Sequence, residues 1–232
     1  GVRCRPGGGN RPWPTPLSSM LSDTLSPLIA LSLTGYLLGS IPFGVLATRA
    51  LGLTDPRSAG SGNIGFTNVL RVGGKTAGAL TLLGDIGKGW LVGWGATRLL
   101  GDETTVLPVA FCAVLGHLFP MFLKFRGGKG VATAIGAVAG VAPWVGLGLG
   151  AIWIAALGIW RYSSGAALTA FACLPVLALW QRPTVPFLMF AVMLTALIVW
   201  RHQANMVRLR AGTEPKIGQD KTPEPSESSP LM

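Results

Sequence analysis

Acidic residues are scarce in this chain, with 9 Asp and Glu against 19 Lys and Arg among 232 residues, for a net charge of +10. Charge of either sign is thin, at 12%, about half of what soluble domains carry. With so few carboxylates and only 2 His, no group has metal-ligand spacing, so neither metal-dependent chemistry nor a cofactor is expected. Cys4, Cys112 and Cys173 are odd in number and two of them lie in apolar sequence, which suggests neither a disulfide framework nor a metal site. The excess of cations raises nucleic acid as a partner. The aromatic-and-basic interleaving that single-strand binders use is missing, so nucleic acid is set aside.

What is present is apolar sequence. Half of the residues are hydrophobic, mean hydropathy is +0.52, and the few charges fall in clusters between long apolar runs. The expected fold is therefore an all-α polytopic membrane protein in contact with lipid. Glycines inside those runs, among them Gly136, Gly140, Gly146 and Gly150, suit helices packed closely in lipid. Residues 1–19, rich in Pro, Gly and Arg, lack an apolar signal core. They are expected to be a disordered or non-native extension before a natural start at Met20. A membrane-embedded domain then covers 20–212, and the polar tail 213–232 is expected to be disordered.

Spans are expected near 25–51, 76–100, 105–123, 166–179 and 184–200. Between 131 and 160 the apolar sequence exceeds the ~20 residues one helix needs, and Pro143 divides it. Two spans there put Arg49, Arg57, Arg71, Lys75, Lys124, Arg126, Lys129, Arg161, Arg201, Arg208 and Arg210 on one side, leaving Arg98 and Arg182 opposite. That asymmetry favours seven transmembrane helices, N-terminus outside and C-terminus cytoplasmic.

Three polar clusters share the predicted cytoplasmic face. The first holds Ser61, Asn63, Thr67, Asn68 and Arg71 among Gly60, Gly62 and Gly65. The second runs from His117 through Gly127, Gly128, Lys129 and Gly130 to Thr133, and the third holds Arg201, His202, Gln203, Asn205, Arg208 and Arg210. Hydroxyls, amides, guanidinium, ammonium and imidazole with hardly any carboxylate suit a phosphate held by donors and dipoles. Bland roles compete: Arg49, Arg57, Arg161 and Arg210 serve topology, His117 suits a core histidine bonded to a carbonyl, and Asp85 and Lys88 suit mutual neutralisation. Neither Gly74-Lys75-Thr76 nor Gly127-Gly128-Lys129-Gly130 completes a nucleotide P-loop. No His-x4-Asp dyad is present.

The motifs GSGNIGFTNVLR (60–71), LLGDIGKG (82–89), GHLFPMFLKFRGGKGVAT (116–133) and RHQANMVRLRAGTE (201–214) closely resemble the PlsY family, over residues 20–214. These are bacterial inner-membrane acyl-phosphate:glycerol-3-phosphate acyltransferases with seven helices. The resemblance implies transfer of an acyl group from acyl phosphate to the 1-position of glycerol 3-phosphate, giving lysophosphatidic acid and phosphate, the first step of phospholipid synthesis. It implies a cytoplasm-facing site and an acyl-phosphate-producing enzyme as partner. By position, Ser61, Arg71, Lys129 and His202 carry catalysis. Gly60, Gly62, Asn63, Gly65, Thr67, Asn68, His117, Gly127, Gly128, Gly130, Thr133 and Asn205 bind substrate. Two departures stand out: Phe66 replaces the family's usual Ala, and in 161–167 Ser164 remains while Ala167 replaces a second serine. An organophosphate transporter would need a similar basic pocket, but no inverted repeat is visible.

Overall fold

The computed structural model describes residues 17–218, with side chains described from residue 25 onward. The expectations for residues 1–16 and 219–232 lie outside the described residues. Nine α-helices and no strand occur among the described residues: α1 Leu17–Gly39, α2 Phe43–Ala50, α3 Phe66–Leu100, α4 Glu103–Leu118, α5 Val131–Val141, α6 Pro143–Trp160, α7 Ser163–Gln181, α8 Val185–Arg201 and α9 Gln203–Arg210.

Local chemistry sets several of these boundaries. The Asp102 carboxylate accepts from the Thr104 N–H at 2.9 Å and caps α4. Pro143 has no N–H with which to continue α5 and its fixed φ suits a first turn, so α5 stops and α6 starts there. Gly74, at φ 80° and ψ −176°, breaks α3 near its start. The span expected near 76–100 thus belongs to a helix that starts earlier, since the chain is already helical at Phe66.

Polar contacts fix which helix ends lie together. At one end Arg182, after α7, pairs with Glu103 at the start of α4 and donates to the Val141 carbonyl at the end of α5 at 3.0 Å. Thr184, before α8, donates to the same Glu103 at 2.6 Å. At the other end the starts of α3, α5 and α7 meet His202, which follows α8, and Asn205 and Arg208 of α9. Consecutive long helices from α3 to α8 thus run antiparallel.

The α3–α5 seam is backbone against backbone. A Cβ on Gly89 would strike the Thr133 carbonyl, and one on Gly93 the Ala137 carbonyl at 2.5 Å. Reciprocally, Gly136 lies on the Ile86 carbonyl and Gly140 on the Trp90 carbonyl. Four-residue glycine spacing on both helices is what lets them approach this closely. Outside, Ile159 and Trp180 are 75% and 79% exposed, and an apolar surface this extensive belongs in lipid. Trp144 and Trp180 mark one end of the bundle and Trp160 and Trp200 the other, as interfacial belts do.

By length and composition, 3 helical segments suffice to cross a membrane: Glu103–Leu123, Pro143–Trp160 and Ser163–Gln181. Counting two bent pairs as single spans gives 5, these being Leu25–Gly39 with Phe43–Ala50 (41°) and Val185–Arg201 with Gln203–Arg210 (62°). Of the remaining two, α3 is 35 residues long but carries Asp85 and Lys88 in its interior. With 11 residues, α5 is only about 16 Å long.

Candidate active site

The first loop is organised by one side chain. Asn68, on the first turn of α3, donates through Nδ2 to the carbonyls of Pro56, Ala59 and Asn63 at 2.9, 3.1 and 2.8 Å. Its Oδ1 accepts from the Ser61 N–H at 2.8 Å. Gly60 and Gly62 take φ of +63° and +71°, which an L side chain resists, and a Cβ on Gly60 would strike the Asn68 carboxamide. The second loop is pressed onto α4. Gly127 and Gly128 donate to the Leu118 and His117 carbonyls, both at 3.1 Å, and a Cβ on Gly128 would run into the His117 ring. Arg201 ties that loop to α8 by donating to the Gly128 carbonyl at 3.0 Å.

Beneath it lies a buried charged group. Lys88 Nζ is 2.8 Å from Asp85 Oδ1, the mutual neutralisation expected of that pair, and Lys88 also donates to the Ile41 carbonyl at 2.7 Å. His117 Nδ1 is 3.4 Å from the same Asp85 oxygen. His117 therefore faces a carboxylate, not the neighbouring carbonyl that the bland alternative assigned it.

The third region joins α7, α9 and the chain beyond. Glu214 accepts from Ser164 and Asn205 at 2.6 Å each and from Arg208 at 2.7 Å. Ile217 N–H donates to the Arg161 carbonyl at 2.8 Å. The expectation of disorder beginning at residue 213 is corrected here: Thr213–Gly218 is tied to α7 and α9 by these bonds. The expected near-absence of carboxylate is corrected as well, because Asp85 and Glu214 both line the site. Sequence reasoning did not single out Glu214, which ends a basic motif and whose partners Asn205 and Ser164 lie 9 and 50 residues away in the chain.

These parts enclose a cavity of about 210 Å³, far more than a single buried water needs. Ser61, Asn63, Gly65, Thr67, Asn68, Arg71, His117, Lys129, Gly130, His202 and Asn205 all line it. Gly60, Gly62, Gly127, Gly128 and Thr133 do not. The four glycines shape the loops from behind, and Thr133 is buried in the α3–α5 seam. Sequence reasoning did not single out Ser163, whose hydroxyl lies 2.6 Å from that of Thr67.

Arg71 and Lys129 line the same cavity with no carboxylate paired to either among the described residues. Burial pushes the Lys129 amine down to about 8; Glu214 opposes this, while Arg208, Arg201 and Arg71 add to it. Burial, reinforced by Lys129, pushes His202 down to about 4, so its ring is neutral at pH 7. Burial alone would raise Glu214, but the bonds from Ser164, Asn205 and Arg208 hold it below the usual carboxylate range. His202 Nδ1 lies 2.8 Å from the Ile198 carbonyl. A carbonyl only accepts, so Nδ1 carries the proton and Nε2 keeps a lone pair. The site thus offers cations without carboxylate partners among the described residues for anionic oxygens and, at His202 Nε2, a neutral acceptor for a hydroxyl.

A family described as glycerol-3-phosphate acyltransferase matches residues 29–212. The chain belongs to the glycerol-3-phosphate acyltransferase family. Curated members include glycerol-3-phosphate acyltransferases of Nitrosospira multiformis, 50% identical over 84% of this chain and 98% of that protein, and of Aromatoleum aromaticum, 46% identical over 84% and 98%. The chain also resembles crystal structures of PlsY (YgiH), an integral membrane glycerol 3-phosphate acyltransferase. Its glycerol 3-phosphate form matches with TM-score 0.79 and 38% identity over 83% of this chain and 96% of that one. Its lysophosphatidic acid form matches with TM-score 0.77 and 37% identity over 83% and 96%. This member of the acyltransferase family is accordingly an all-helical multi-pass membrane protein.

Proposed function

We propose that this acyltransferase moves an acyl group from acyl phosphate to the 1-position hydroxyl of glycerol 3-phosphate, opening phospholipid synthesis in a bacterial inner membrane. The observation that carries this is Arg71 and Lys129 facing one cavity without carboxylate partners among the described residues. Two phosphate-bearing substrates repel each other, and two unpaired cations hold them side by side. Acyl phosphate is a mixed anhydride, so no covalent enzyme intermediate is needed. The glycerol hydroxyl oxygen bonds to the acyl carbon, the bond from that carbon to the phosphate oxygen breaks, and the hydroxyl proton passes to the departing phosphate. The products are lysophosphatidic acid and inorganic phosphate.

Ser61, Thr67 and Asn205 supply donors to the substrates, and Asn68 keeps the first loop in shape. A neutral imidazole with a pKa near 4 is a weak base, which favours His202 as the residue that orients the glycerol hydroxyl through Nε2. His202→Ala should then raise KM for glycerol 3-phosphate about tenfold with a modest kcat loss; a collapse of kcat alone would make it the base.

The arrangement in the membrane is seven crossings with the N-terminus outside and the C-terminus and site in the cytoplasm. The two further crossings are α3 and the short α5, which bring Lys129 and Arg161 to the same end of the bundle. An enzyme that makes acyl phosphate at the membrane surface would supply the donor. Purified protein in detergent, given palmitoyl phosphate and glycerol 3-phosphate, should release phosphate and lysophosphatidic acid. Folded protein that releases neither overturns the reaction, and equal use of palmitoyl-CoA overturns the donor.

A further inference from the structure

The cavity has two characters. Arg71, Lys129 and His202 give it a polar lining, while Leu82, Ile86, Ile135, Trp153 and Ile154 give it an apolar one. Phe66 also lines it. The next residue, Thr67, meets Ser163 at 2.6 Å, whereas the Phe66 ring meets Trp153 edge-on, centroids 6.2 Å apart at 68°. Trp153 Nε1 is buried with no acceptor among the described residues. An unpaired N–H among apolar walls suits an oxygen of an acyl group whose chain continues along those walls.

Beside the aromatic pair, the apolar lining is open. Ile154 is 66% exposed on the lipid-facing side. A Cβ on Gly150 would find only Ile135 Cγ2 at 3.8 Å, so this part of the wall is recessed. A chain end that reaches the surface has nothing to measure its length against. The carbons beside the carbonyl, by contrast, pass two rings held on the helices α3 and α6.

We infer that the Phe66–Trp153 pair selects the acyl donor by its shape next to the carbonyl and not by its overall length. The inference builds on the acyl-transfer function proposed above. A methyl branch on the α-carbon would have to share space with the ring edge, and a fixed apolar wall discriminates single carbons by about tenfold or more.

The test is kcat/KM for lauroyl, palmitoyl and stearoyl phosphate and for α-methyl-branched palmitoyl phosphate, using the full chain in detergent. The three straight donors should agree within about threefold, and the branched donor should fall at least about tenfold below them. Phe66→Ala should bring the branched donor to within about threefold of palmitoyl phosphate, with Phe66→Leu in between. Trp153→Phe, which keeps a ring but loses the N–H, should raise KM for every donor and leave the straight-to-branched ratio unchanged. Equal use of branched and straight donors by the unsubstituted protein overturns the inference, as does a Phe66→Ala change that alters length preference alone. Absence of phosphate release from every straight donor would instead overturn the acyl-transfer function itself.

Discussion

The two ends of the helix bundle use similar residues to opposite effect. At one end Arg182, Glu103, Thr184 and the Val141 carbonyl close on one another, so the guanidinium is spent on holding α4, α5 and the α7–α8 turn together. At the other end Arg71 and Lys129 reach a cavity with no carboxylate paired to either among the described residues, while Glu214 is taken up by Ser164, Asn205 and Arg208. An arginine with its carboxylate is a fastener. A cation without one, beside a cavity, is a place for a substrate anion. The difference lies in charge balance, not in residue type, and substitutions at the two ends should separate into activity effects and stability effects.

The largest effect is expected from Lys129→Ala. Removing one preorganised charge from the reacting phosphates should lower kcat/KM by about 10²–10³, with little change in melting temperature, measured by phosphate release and thermal unfolding in detergent. At the opposite end, Arg182→Ala should cost about 2 kcal/mol of stability by leaving Glu103 and the Val141 carbonyl short of a donor. Activity below the melting temperature should remain. Loss of activity without loss of stability would break the contrast between the ends.

The pH dependence sharpens it. In the proposed role Lys129 holds phosphate only when protonated, and burial brings its amine down to about 8. In the free enzyme kcat/KM should therefore fall as pH rises through that value, approaching a tenfold loss per further pH unit. Lys129→Arg should remove this limb, because guanidinium stays charged. The smallest effect is expected from Arg57→Ala. Its pair with Asp55 lies at the cavity end, but the Arg57 side chain is 50% exposed, so stability should change by no more than about 1 kcal/mol. Phosphate release should not change, which would show that position at that end is not enough without the cavity.

Much of the molecule was written in the order of its residues. Apolar runs divided by Pro143 gave much of the helix pattern, and Arg71 and Lys129 were legible as candidate anion holders because cations and glycines cluster around them; both line the cavity. The glycines themselves were not separable by sequence. Gly128 and Gly130 stand two apart, yet one is pressed on His117 and the other lines the cavity. Glu214 was hidden because a lone acid in a polar tail has the composition of disorder. Its structure comes from Ser164, Asn205 and Arg208, and local composition does not encode partners that distant.

The sequence by itself determined that the chain is helical, apolar and cationic at a few glycine-rich turns, because hydropathy and backbone freedom are properties of neighbouring residues. Only the tertiary structure decided which cations remain unpaired. That depends on which helix ends the backbone-to-backbone seam of Gly89, Gly93, Gly136 and Gly140 and the other helix contacts bring together. It depends equally on which carboxylates those ends carry, Glu103 against Arg182 at one and Glu214 against Arg208 at the other.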